Sequence, residues 1–245
     1  MNTDALPLLE VALNGAREHP SVPRSPDQLA HAARAAVSAG ARVIHMHPYD
    51  DGGHETLAAE PCAAAVRAVC AARPGVPVSL STSAAIEPDP RRRLTAVARW
   101  TVLPDLVTAN QGETGIAELC ELIIRRGIGI EAGLLSARDA EEFIRSGLAK
   151  RCVRVLVEPL DAKPDDAVAH AITIEDLLVR AGVSLEQVHH GDGIASWAVN
   201  RRALGRGHGI RTDLEDTTVL PDGRPAPDNE TVVRTAAAMI AATRR

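Results

Sequence analysis

Gly40-Ala41-Arg42-Val43-Ile44-His45-Met46-His47-Pro48 is a short apolar run that leads straight into two histidines spaced two apart. Its length, its β-branched residues and its Gly and Pro boundaries predict a buried strand over Arg42–His47. Runs of the same kind recur on both sides of it. They predict further strands at Leu9–Leu13, Pro77–Thr82, Leu106–Ala109, Ile128–Gly133, Val153–Glu158, Gln187–His190 and Gly209–Leu214. Longer Ala-, Arg- and Glu-rich amphipathic stretches separate them. Ser25-Pro26-Asp27 opens the first helix, with Ser as its cap and Pro at the first helical position. Glu87-Pro88-Asp89-Pro90 and Pro227-Asp228-Asn229 precede two others. Eight strand–helix units in 245 residues predict one α/β domain over residues 1–245, a closed (β/α)8 TIM barrel. No G-x-G-x-x-G follows a strand and no G-x-x-x-x-G-K-[ST] occurs, which argues against a doubly wound nucleotide-binding fold.

The composition narrows the function classes. Tyr49, Phe143, Trp100 and Trp197 are the whole aromatic set, so aliphatic side chains must fill the core, and stacking on single-stranded nucleic acid is not expected. A net charge of −5 with dispersed acids argues against a phosphate-backbone partner. Arg91-Arg92-Arg93 and Arg201-Arg202 read as solvated helix faces. Cys62, Cys70, Cys120 and Cys152 show no CxxC pair and read as buried thiols of a reducing compartment. No apolar run reaches membrane-spanning length and no signal segment is recognisable, so a soluble, cytoplasmic protein is expected.

The chemistry begins at His45 and His47. Residues two apart on a strand share a face, so both imidazoles project into the barrel near its C-terminal end, where active sites of this fold sit. They are either hydrogen-bonded core histidines or ligands of a shared divalent ion, which satisfies both rings at once. Glu215, in Arg211-Thr212-Asp213-Leu214-Glu215-Asp216, ends the expected eighth strand. Strands two and eight are both even-numbered, so their side chains share a layer and the carboxylate can join the imidazoles. Two His and one carboxylate leave positions open, as a catalytic ion needs. Ser81-Thr82-Ser83, Thr108, Asn110, Glu131 and Arg211 gather on the same rim, although each alone has a structural explanation as cap, turn or ion pair. Of His189 and His190, at least one is expected to face outward, and His54 is expected on the surface.

These blocks together resemble the β-keto acid cleavage enzymes, whose best-known member acts on 3-keto-5-aminohexanoate. The resemblance runs through Ala12-Leu13-Asn14-Gly15-Ala16, Gly40 to His47, Ser81-Thr82, Thr108-Ala109-Asn110-Gln111-Gly112, Ile210 to Asp216 and Asp228-Asn229. It implies a zinc-dependent barrel, commonly a homotetramer, that converts a β-keto acid plus acetyl-CoA into acetoacetate and a new acyl-CoA. It implies His45, His47 and Glu215 as ligands of Zn2+ or another divalent transition metal, and Asp216, aided by Arg211, as the group that removes the acidic proton. It places Ser81 and Thr108 on the substrate's carboxylate and keto oxygens, Asn110 on the same rim, and Glu131 at an acidic position of strand five. Arg17 stands where the aminohexanoate enzyme carries an acid that pairs with the substrate's amino group. An arginine repels an ammonium, so an acidic or neutral β-keto substrate is expected. Alternatives are another metal-dependent barrel hydrolase or lyase, and a non-catalytic barrel that binds an acyl-CoA or metabolite. An amidohydrolase normally places HxH on strand one, with further His on strands five and six, which carry none here.

Overall fold

Eight parallel strands pair in sequence order and close on themselves, each followed by a helix on the outside. The computed structural model describes residues 6–243. The elements are β1 (Leu9–Ala12), α1 (Pro26–Ala39), β2 (Val43–Met46), α2 (Ala59–Ala72), β3 (Val78–Ser81), α3 (Pro90–Ala98), β4 (Leu106–Asn110) and α4 (Ile116–Arg125). They continue with β5 (Gly129–Leu134), α5 (Ala137–Ser146), β6 (Arg154–Val157), α6 (Pro164–Arg180), β7 (Glu186–His189), α7 (Ala195–Gly205), β8 (Gly209–Arg211) and α8 (Asn229–Ala242), with one 3-10 turn at Leu148–Arg151. The chain is therefore a (β/α)8 TIM barrel.

Local chemistry sets the helix starts. Ser25 accepts from the Gln28 amide, and the Gln28 side chain reaches back to the Ser25 amide, closing a capping box ahead of Pro26. Asp89 and Asp228 cap α3 and α8 more simply, their carboxylates accepting from first-turn amides. The aliphatic core lies between sheet and helices, where Val11, Ile44, Leu80, Val107 and Ile130 pack on Leu29, Val66, Ile123 and Val233. Against expectation, the barrel interior is polar. Glu10 of β1, Ser79 of β3, Glu131 of β5 and Arg154 of β6 meet across it, with Arg154 Nη1 3.1 Å from Glu131 and 3.5 Å from Glu10.

Four other expectations are corrected. The eighth strand ends at Arg211 rather than Leu214, because the Asp213 carboxylate accepts from the Ala12 and Asp216 amides at 2.7 and 2.8 Å and bends the chain. Glu215 thus sits on a turn beyond the strand. Arg93 is buried rather than solvated, bonded to Glu113 and to the Thr114 carbonyl. Arg202 pairs with Glu175 behind the barrel wall. Cys70 is exposed, whereas Cys62 and Cys120 are buried. Among the described residues, no helix is long and apolar enough to cross a membrane.

Candidate metal centre

The two histidines reach the barrel mouth through different supports. His45 lies within β2, while His47 lies just beyond it and is clasped by Asn14, whose amide bonds both the His47 N–H and its carbonyl at 2.8 Å. That clasp ties down the long loop after β1. Gly15 follows, and a Cβ there would stand 2.5 Å from Glu215 Cγ and Cδ, so the bare backbone leaves room for that side chain. His45, His47 and Glu215 consequently bring one donor atom each within 4.8 Å of one another.

The electrostatics suit a cation. His47 Nε2 is 3.3 Å from Glu215 Oε1, and its Nδ1 is 3.1 Å from Glu55 Oε2. Burial opposes charge on this ring, but the two carboxylates outweigh it and raise His47 to about 10. A proton held between two acids stands where a metal ion's charge would be. His45 is pushed well below its ordinary value, by burial first and by Arg211 next, so it is neutral with one ring nitrogen carrying a lone pair. Glu215 is drawn below its usual range because His47 and Arg211 overcome its burial. With the His47 proton given up to a bound cation, two imidazoles and a carboxylate fit a divalent transition ion with open positions.

Beside this trio, Arg211 lies 2.8 Å from Asp216, 3.3 Å from Glu215 and 3.6 Å from Asp213. Burial resists ionisation of Asp216, yet Arg211 and then His190 hold it well below the usual carboxylate range. His190 is fully buried, with Nδ1 3.2 Å from Asp216 Oδ1 and Nε2 3.6 Å from Glu158. Glu158 is raised, chiefly by burial. A cavity of about 390 Å3 opens onto this set, lined by Arg17, Glu158, Leu160, Asp192, Glu215 and Asp216 among others. A larger groove of about 830 Å3 lies outside the barrel against α3, α4 and α5 and holds none of these groups.

The remaining sequence candidates divide. Thr108 Oγ1 lies 3.2 Å from His45 Nδ1, directly against the candidate ligand. Ser81 is buried at the end of β3 and accepts from the Ser83 amide at 3.4 Å. Asn110 donates to Glu113, which also anchors Ser83, Ala84 and Arg93 and so ties two rim loops together. Glu131 lies fully buried in the polar barrel interior with Ser79 and Arg154. Arg17 lines the cavity, but its guanidinium bonds Asp192 and the Glu215 carbonyl. Sequence reasoning missed Glu55, Ser79 and the inward role of His190. Strand phase decides the last case, since His189 turns outward and stacks on His208 at 4.9 Å.

A second His–His–Glu group, Glu175, His189 and His208, lies behind β7. Arg202, Arg206 and His208 already occupy its carboxylate.

Fold and site together define an α/β barrel that presents a two-histidine, one-carboxylate cluster and an Asp–Arg pair at its C-terminal face. Residues 8–245 match the family model described as beta-keto acid cleavage enzyme, and the chain belongs to that family. Among solved structures, the binary complex of ObcA with oxaloacetate is similar at 17% identity and TM-score 0.71, over 89% of this chain and 63% of that one. The ternary complex of ObcA with a C4-CoA adduct and oxalate gives 16% and 0.72, over 91% and 64%. Thiamine phosphate pyrophosphorylase from Pyrococcus furiosus gives 15% and 0.57, over 97% and 96%. At these identities the likenesses speak to the fold. The chain spans about three fifths of the length of the ObcA chains it matches.

Proposed function

We propose that this chain cleaves a β-keto acid with acetyl-CoA as co-substrate, an acyl transfer that yields acetoacetate and a new acyl-CoA. The observation that carries it is the Asp216–Arg211 pair set beside the His45, His47 and Glu215 cluster, with Glu215 and Asp216 both lining one cavity. Zn2+ or another divalent transition metal, held by His45, His47 and Glu215, supplies a Lewis acid for the negative charge that develops on the substrate's oxygens.

Asp216 is the base. Its Oδ1 already faces Arg211 Nη2 at 2.8 Å and His190 at 3.2 Å, whereas Oδ2 has only Arg211 Nε at 3.4 Å. Oδ2 is therefore the oxygen free to take the proton from the carbon between the keto and carboxylate groups. Arg211 and His190 fix the plane of that carboxylate from two sides, and the polar enclosure keeps it aimed without reorganisation. Ser81 is assigned to the substrate's oxygens. Thr108 reaches them from its position against His45, and Asn110 supports the rim through Glu113.

Arg17 faces the cavity in a neutralised state, so an acidic substrate group gains it only by displacing Asp192. The ObcA complexes with oxaloacetate, a β-keto acid, and with a CoA adduct support a keto acid and a CoA thioester as the paired substrates. A homotetramer belongs to the same proposal. The test incubates purified protein with acetyl-CoA and β-keto acids bearing acidic, neutral and basic side chains. Acetoacetate and a matching acyl-CoA, read by mass spectrometry, are expected from at least one of them. Silence across all three classes, with metal bound, overturns the enzyme reading in favour of a ligand-binding barrel.

A further inference from the structure

The polar layer inside the barrel holds charged and hydroxyl groups that the proposed reaction does not use. Ser79 Oγ donates to Glu131 Oε2 at 2.5 Å. The other oxygen of Glu131 faces Arg154 Nη1 at 3.1 Å, so a guanidinium pins this carboxylate as an acceptor. Arg154 also approaches Glu10 at 3.5 Å and Glu186 at 3.2 Å. A serine hydroxyl has a single proton. With that proton engaged by Glu131, the Ser79 oxygen can only accept on its remaining side. That side faces His45 Nδ1 at 3.3 Å.

From this geometry we infer that Glu131, acting through Ser79, sets the tautomer of His45. An acceptor opposite Nδ1 is satisfied only when Nδ1 carries the ring hydrogen. Nε2 is then the nitrogen with the lone pair. Thr108, 3.2 Å from the same Nδ1, is free to rotate and accept from it as well. Ligand histidines are commonly oriented by a partner on their other ring nitrogen, and loss of such a partner weakens metal binding about 10- to 100-fold. Here the partner is a serine, and the group that gives the serine its direction is an acid on another strand. Glu131 is thus a positioning residue below the site. Arg154 is the cation that keeps Glu131 an acceptor, and Glu10 completes the layer.

The inference rests on the metal reading of the site for its consequence, but the tautomer itself is measurable on metal-free protein. With 15N-labelled histidine, long-range 1H–15N correlation distinguishes protonated from unprotonated ring nitrogens, and the His45 signals are assigned by their loss in His45→Gln. The expected result is a protonated Nδ1 and an unprotonated Nε2 in the wild type. In Ser79→Ala and in Glu131→Gln that preference weakens, and affinity for zinc, read by competition with a chromophoric chelator, falls about tenfold or more. Ser79→Ala removes one oxygen only, so it decides the matter if Glu131→Gln does not fold. A wild type with hydrogen on Nε2 overturns the inference even if zinc binds tightly. Unchanged tautomer and zinc affinity in Ser79→Ala overturn it too. Failure of the wild type to take up zinc overturns the metal reading, and the tautomer result then decides the inference alone.

Discussion

Two His–His–Glu groups occur among the described residues of this barrel, and they are built for opposite ends. At the mouth, His45, His47 and Glu215 are surrounded by further acids: Glu55, Asp213, Asp216 and Glu158, with Arg211 as the guanidinium among them. Behind β7, His189, His208 and Glu175 are surrounded by cations, since Arg202 and Arg206 both reach the single carboxylate. At the mouth, Glu215 and Glu55 outweigh burial and raise His47 to about 10, while burial and Arg211 lower its neighbour His45. The rear environment lowers His189 to about 3, through burial and then through His208, and repels a cation. Ligand-type residues at ligand-type distances are therefore insufficient to define a metal site. On the proposed reading, the surrounding charge decides.

The strongest way to break that comparison is to remove a ligand on each side. His45→Ala or Glu215→Gln is expected to weaken zinc binding by more than about a hundredfold, beyond what losing a mere supporting partner costs, and to abolish acetoacetate formation. His208→Ala leaves zinc stoichiometry unchanged. Metal analysis of the purified variants reads both, and loss of zinc from His208→Ala would reverse the assignment. Next in size is the stability of the rear group. Glu175 is 2% exposed, and Glu175→Ala strands the largely buried Arg202 guanidinium. It is expected to cost about 3 kcal/mol, or about 6–12 °C in Tm for a chain of this size, without loss of zinc.

The same residue gives a pH test. Burial alone would raise Glu175, but Arg202, His208 and Arg206 hold it at about 2, below its ordinary value. A depressed carboxylate stabilises the fold above its unfolded pKa, and that stability is lost as pH falls through the folded value. The stability gap between wild type and Glu175→Gln should be constant above about pH 4.5 and shrink as pH falls toward about 2. A gap that widens on acidification contradicts the pairing. A subtler change at the mouth is Gly15→Ala, whose new methyl meets Glu215 and should lower zinc affinity about tenfold with little change in Tm. The smallest expected effect is from Asp192→Asn. It frees Arg17 and should lower KM for acidic β-keto acids a few-fold, since a half-exposed ion pair is worth roughly 1 kcal/mol or less.

Much of this was legible in the residues. Short β-branched apolar runs located all eight strands, and Ser25, Asp89 and Asp228 marked helix starts because caps are local chemistry. The HxH pair and the Arg211-to-Asp216 block stood out because strand phase and short spacing bring their side chains together without knowledge of the rest. The failures share a cause, which is partnership across the fold. Arg93 looked solvated because Glu113, which buries it, belongs to the loop before the next helix. Glu131 looked like a rim residue because Ser79 and Arg154 meet it only once the barrel closes. His190 was ambiguous because a slip of one residue in the seventh strand exchanges it with His189. Glu55 gave no signal, since only the bridge between Tyr49 and Glu55 turns it back to His47.

The short β8 has one more consequence. It shares only two register pairs with each neighbour, Leu9↔Ile210 and Glu10↔Arg211 on one side, Val188↔Gly209 and His189↔Ile210 on the other. The circle of strands is thus most weakly zipped on the two flanks of β8, and one of these is the join between its first and last members. Asn229 reinforces that seam from outside, bonding the Leu13 carbonyl and the Leu214 amide. An ion gripped by His45 and His47 on one flank of β1 and by Glu215 on the other would straddle the join like a rivet. Amide hydrogens along the closure should then exchange with solvent more slowly in the loaded protein, so that filling the site also tightens the hoop that holds it.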